Sequence, residues 1–318
     1  MIKLKKKIRK MGKMQDVYIV KPKLDVMFKK LFASEENKEL LMSLISSLLS
    51  IDIESIKSIE VLNGEILPDE KGEKFGRLDL LLIMNDETKI NIELQIKIQD
   101  DYADRSTFYW SKAYTTGLKA GEEYSELKET ICINIIGFKM FDCEEYHSHF
   151  QIMEKDRHEV LTEKFAIHFF ELPKLRGTEV NADDMMKLWL KLIDCESEEE
   201  LEMLERTNAA PIKEAAYFIR RMSADEKVKE RARLEEKRLH DEASIIGTAR
   251  RQGLREGYER GEKKGLEKGR NEGRIEGRNE GRIEILYKLI NGGSTEPFII
   301  SLGYTEEEYK KALNESIS

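Results

Sequence analysis

The sequence predicts an α/β fold: a mixed-sheet core flanked by helices and followed by a long helical C-terminal extension. Three observations carry that expectation. Apolar residues recur at helical spacing just after Pro22, short apolar strands punctuated by turn residues fill the stretch from 55 to 98 and recur at 130–137, and helical periodicity alone persists beyond residue 183.

Leu24 to Phe32 and Leu40 to Leu49 carry the helical spacing, so two packed helices open the core. Residues 55–62, 78–84 and 89–98 read as three short strands, with Asn63-Gly64 and Asn85-Asp86 supplying the turns. Tyr102 to Leu118 reads as a helix, and Thr130 to Gly137 is apolar on both faces, as expected of a strand covered on both sides. His149–Met153 and Phe165–Glu171 resemble a terminal hairpin that Leu172-Pro173 stops. The expected organisation is a basic flexible N-terminus (1–16), the α/β domain (17–176), a helical extension (177–245), a charged glycine-repeat helix or linker (246–284) and a small helical element (285–318).

Composition narrows the setting. The 318 residues hold 54 basic against 62 acidic side chains, which gives no overall polyanion-binding signature, so any nucleic-acid site must be a local patch. Cys132, Cys143 and Cys195 are odd in number and form no Cys-x-x-Cys pair, which fits a reducing compartment, and a cytoplasmic location is expected. The basic opening has no apolar run of the length a signal peptide or membrane span needs, so no membrane association is expected.

The chemical clue is acidic. Strand alternation puts Glu93, Gln95 and Lys97 on one face and Leu94, Ile96 and Ile98 on the other, and Asp79 on the preceding strand can face Glu93 across the pair. Two carboxylates so placed repel unless a cation sits between them, and a hard divalent ion meets that need. Asp25 lies either as a helix-borne third acid near the ion or as the N-cap of the first helix. Lys74 and Arg77 can hold phosphate beside Asp79, and Arg105 and Tyr109 share a helix face suited to a nucleic-acid backbone and stacked bases. Cys143, His147 and His149 look metal-like but lack the fourth ligand of a closed zinc tetrad.

Five segments in order resemble the PD-(D/E)xK nuclease superfamily, and within it the recombination-promoting nucleases or PD-(D/E)xK transposases. They are Lys23–Phe32, Arg77-Leu78-Asp79, Asn91-Ile92-Glu93-Leu94-Gln95, the helix bearing Arg105, Tyr109 and Trp110, and Phe169–Lys174. The resemblance implies a restriction-endonuclease-like mixed sheet, DNA as partner, DNA cleavage dependent on Mg²⁺ (or Mn²⁺), and a role in recombination or mobile DNA. It also implies Asp79, Glu93 and the Leu94 backbone carbonyl as metal ligands. Gln95 stands in the place of the superfamily's usual lysine; it can orient water but carries no charge, which leaves that task to the metal or to a nearby cation such as Lys97.

Glycine recurs every fourth residue from Gly253 to Gly281, and residues 269–276 repeat unchanged at 277–284. Interior glycines each cost a helix about 1 kcal/mol, and Arg270, Arg274, Arg278 and Arg282 place like charges one turn apart, as do Glu272, Glu276, Glu280 and Glu284. A second helix offering opposite charges relieves both penalties, so homo-oligomerisation through 246–284 is expected; the other reading is a flexible polyampholyte linker. A second functional class stays open on the strength of Gln95: a non-catalytic nuclease-fold protein that acts as an assembly module through this ladder.

Overall fold

The computed structural model describes residues 18–62, 65–66, 76–77, 79–85, 87–119, 121–179, 181 and 183–317. Lys74 lies outside the described residues, and Arg77 is described in its backbone only.

Helices Asp25–Phe32 (α1) and Lys38–Leu49 (α2) open the chain. Each buries one apolar face; on α1 this face is Met27, Phe28, Leu31 and Phe32, and the rings of Phe28 and Phe32 meet edge to face at 5.0 Å. The strands are Ile59–Leu62 (β1), a short pair Glu65–Ile66 (β2) and Gly76–Arg77 (β3), then Leu80–Met84 (β4), Thr88–Gln95 (β5), Thr130–Ile136 (β6), His147–Phe150 (β7) and Phe165–Glu171 (β8). Six of them form one sheet in the order β1-β4-β5-β6-β8-β7. Pairing is parallel for β5 with β6 and β6 with β8, and antiparallel elsewhere in that sheet.

Helix Tyr102–Thr115 (α3) carries the chain from β5 to β6, the crossover that a parallel pair requires. Lys89, early in β5, donates its ammonium to the carbonyls of Ala113, Tyr114 and Thr116 at the far end of α3, satisfying acceptors that the helix leaves open. That anchor sets α3 along β5 with its first turn near the strand's C-terminal end. Registers Asn91↔Cys132, Glu93↔Asn134 and Asn134↔Phe169 put those side chains on the sheet face that α3 covers, where Tyr102, Phe138 and Phe169 form a buried cluster with Cys132, Ile136 and Ile167. Ile90, Ile92, Ile131, Ile133 and Ile135 alternate onto the opposite face.

Helices Met185–Asp194 (α4), Glu198–Glu205 (α5) and Ala210–Ser223 (α6) belong to the same compact unit as the sheet, a unit that ends at Arg238. Trp189 is fully buried and donates its indole N–H to Ser43 on α2 at 3.1 Å. Lys23 pairs with Asp194 at 2.8 Å, and Arg221 with Glu36 at 2.6 Å.

A helix from Glu226 to Asn291 (α7) enters the second unit, which begins at Leu239. In that unit Glu296–Ser301 (α8) and Glu306–Ile317 (α9) enclose a small core of Leu286, Ile299, Tyr304 and Ala312, and the Arg282 guanidinium lies over the Tyr304 ring at 4.4 Å. Residues 251–280 are exposed throughout, and a Cβ placed on any glycine from Gly253 to Gly281 would meet nothing within 4 Å. Among the described residues no helix is long and apolar enough to cross a membrane.

Candidate metal and nucleic-acid site

The β4–β5 hairpin brings the two acids together. Leu80 pairs with Ile92, so Asp79, one step before β4, comes level with Glu93. The Asp79 N–H donates to Glu93 Oε1 at 3.4 Å, and the Leu94 N–H donates to Asp79 Oδ2 at 2.9 Å. The Gln95 carbonyl accepts from the Gly137 N–H on the β6 side, so strand alternation turns the Leu94 carbonyl the other way, toward Asp79.

Burial is the dominant influence on both acids. It raises the Asp79 carboxyl above the ordinary range, opposed mainly by the Leu94 N–H; Glu93, 5% exposed, is pushed up to about 8 by burial and then by the charge of Asp79. Neither carboxylate forms an ion pair with lysine or arginine among the described residues. Asn91, two residues back on the same face, is 1% exposed; its amide bonds to Glu93 and to Cys132 Sγ, while its Oδ1 has no partner. Two crowded carboxylates and a backbone carbonyl are hard oxygen donors, and their chemistry fits Mg²⁺ or Mn²⁺. Among the described residues no group of three or more His, Cys, Asp or Glu side chains is placed so that it could hold a metal ion, so side-chain ligation rests on the two acids.

Around this pair the other sequence candidates separate. Asp25 is the first residue of α1 rather than its cap: the N-cap is Leu24, and the Asp25 and Val26 N–H groups are taken by the Glu235 carboxylate of α7 at 2.8 and 3.3 Å. Asp25 pairs with Lys29 at 2.6 Å, and both act electrostatically on Asp79. Gln95 donates its amide to the Lys97 carbonyl at 2.8 Å. Arg105, on the first turns of α3, acts on Asp79 and on Glu93; its Nη1 donates to Gln99 Oε1 at 2.8 Å and its guanidinium lies over the Tyr109 ring at 5.1 Å. Behind Glu93, the buried Tyr102 hydroxyl donates to Asn134 Oδ1 at 3.1 Å, and the Asn134 amide donates to Ser106. Beside α1 a cleft of about 730 Å³ is lined by Lys29, Lys30, Arg221 and Arg231 together with Asp25, Glu36 and Glu235.

Sequence reasoning passed over Asn91, Lys29, Tyr102 and Glu235. Asn91 was open to detection, because alternation alone puts it on the face of Glu93. Lys29 lies one turn from Asp25, a spacing that signals a helix ion pair. Nothing local points to Tyr102 or Glu235.

The edge hairpin has another role. His147 and His149 of β7 and His168 of β8 stack face to face, with 4.1 Å between the ring centres of His149 and His168 and 3.0 Å between His147 Nε2 and His168 Nδ1. Stacked rings do not converge on one point as zinc ligands do. At the end of β8 the fully buried Glu171 accepts from the Met140 and Phe141 N–H groups and from the Lys174 ammonium, pinning the loop after β6.

A mixed sheet whose central hairpin presents two closely placed carboxylates at one end, with a crossover helix beside them, defines a PD-(D/E)XK nuclease fold. The model of the PD-(D/E)XK nuclease family transposases matches residues 22–249, and the chain belongs to that family. Nucleases of this class generally use divalent metals. No curated protein and no solved structure matches the chain.

Proposed function

We propose that this protein is a Mg²⁺- or Mn²⁺-dependent DNA endonuclease that hydrolyses phosphodiester bonds in recombination or mobile-element biology. The observation that carries the reading is the mutual approach of Asp79 and Glu93 at the strand ends, the one half-buried and the other buried, with no lysine or arginine ion-paired to either among the described residues. Asp79, Glu93 and the Leu94 carbonyl would hold the ion, with Asp25 at its periphery. When bound, the ion supplies positive charge to the phosphate and lowers the pKa of water. Gln95 orients the attacking water, and Lys97 adds charge nearby. Arg105 and Tyr109, with Lys74 and Arg77, take the DNA backbone, and the cations lining the cleft beside α1 extend that track. The buried thiols of Cys132 and Cys195 support a reducing, cytoplasmic setting, and the open glycine face of 246–284 supports self-association.

The test is plasmid DNA with Mg²⁺, comparing the wild type with Asp79→Ala. The wild type is expected to cut, chelation by EDTA to stop it, and the variant to leave DNA intact while keeping its circular dichroism spectrum. Equal cutting by both removes the site assignment. Intact DNA with both favours the assembly-module reading, which the uncharged Gln95 supports.

A further inference from the structure

The site has an uncharged side chain where the resemblance places a lysine, and Gln95 is in addition committed to the Lys97 carbonyl. Among the described residues, Lys29 and Arg105 act on the acids. Lys29 acts on Asp79, but Asp25 already engages it at 2.6 Å. Arg105 acts on both acids, stands at the end of the sheet where Glu93 lies, and is held by two neutral partners, the Gln99 amide oxygen and the Tyr109 ring. Those contacts hold the guanidinium without neutralising it, and half-burial on the first turns of α3 limits its wandering.

We propose that Arg105 is the displaced cation of this site, a catalytic residue that grips non-bridging oxygens of the scissile phosphate and stabilises the charge that builds there. The proposal rests on the nuclease reading. In the reaction the water oxygen bonds to phosphorus as the bond from phosphorus to the leaving sugar oxygen breaks. That oxygen keeps the electron pair and takes up a proton, and the attacking water releases one to solvent. The planar fork of a guanidinium matches two phosphate oxygens, and because it keeps its proton it supplies charge without acting as the base.

The experiment uses the full chain, plasmid DNA and Mn²⁺, with Arg105→Gln, Arg105→Lys and the double variant Arg105→Gln/Gln95→Lys. Arg105→Gln is expected to lose about 10²-fold in cleavage rate, Arg105→Lys to keep about a tenth of the wild-type rate, and the lysine at 95 to recover about tenfold of what Arg105→Gln lost. Calorimetric titration with Mn²⁺ gives a readout apart from activity: removing a cation beside two carboxylates should tighten binding about three- to tenfold, whereas a merely loosened helix would weaken it. Arg105→Gln cutting within about threefold of a wild type that cuts removes this assignment alone, and so does weakened Mn²⁺ binding by that variant. A wild type that binds Mn²⁺ yet leaves DNA intact removes the nuclease reading and this one together.

Discussion

Strand β6 and the middle of α7 are both regular structure, held by opposite means. Every residue from Thr130 to Ile136 is buried, while residues 251–280 are all exposed. In β6 apolar burial contributes roughly 25 cal/mol per Å², and neighbours on both edges take the backbone groups. In α7 the visible support is pairs such as Lys268–Glu272 at 3.7 Å, each worth a few tenths of a kcal/mol, against about 1 kcal/mol lost at each glycine. The strand is fixed by its own chain. The helix stands close to balance by itself, so a partner of modest affinity can decide its state.

The largest effect expected is in the strand. Ile133→Ala removes a fully buried side chain and should cost about 2–5 kcal/mol in urea unfolding; a loss under about 1 kcal/mol would mean that the sheet is looser than its burial implies. Next comes pH. Burial, then the neighbouring His149 and His147, hold the His168 imidazole down to about 3 from 6.5. The unfolded chain therefore binds a proton that the folded chain refuses, and stability should fall as pH drops below 6.5, by about 2 kcal/mol at pH 5. His168→Phe should flatten that slope, and an unchanged slope would assign the pH response elsewhere. Gly273→Ala should stabilise α7 by about 1 kcal/mol if that face stays open, and should weaken self-association in sedimentation if a second helix packs there. Leu266→Ala, at an exposed position, should shift unfolding by less than about 0.5 kcal/mol, and a larger shift would reveal burial in an oligomer.

The parts of the fold legible in the sequence are those that local periodicity writes. Helical spacing marks α1, α2 and α3, and the doubly apolar run at 130–137 marks β6. Alternation also puts Glu93 and Gln95 on one face and lets Asp79 face Glu93, while the register that brings those two level comes from the pairing of Leu80 with Ile92. What stayed hidden depends on distant pairing. His149 meets His168 only through the register of β7 with β8. Glu235 closes the start of α1 from 210 residues away, and Trp189 reaches Ser43 across 146, contacts that leave no trace in spacing. Asp25 reads from sequence equally as a third acid near the ion or as an N-cap, and the capping alternative fails because the N–H groups at the start of α1 are taken by Glu235 from a remote helix.

The turn between Met84 and Thr88 has a consequence for how the chain assembles. These residues pair directly, so β4 and β5 close the shortest loop of the six-stranded sheet, whereas β6 joins β5 only after the α3 crossover is in place. Loop-closure entropy favours the local hairpin first. The mutual repulsion of Asp79 and Glu93 is thus met at the opening step of folding, and on the proposed metal-binding reading a dissolved divalent salt should speed refolding of the domain.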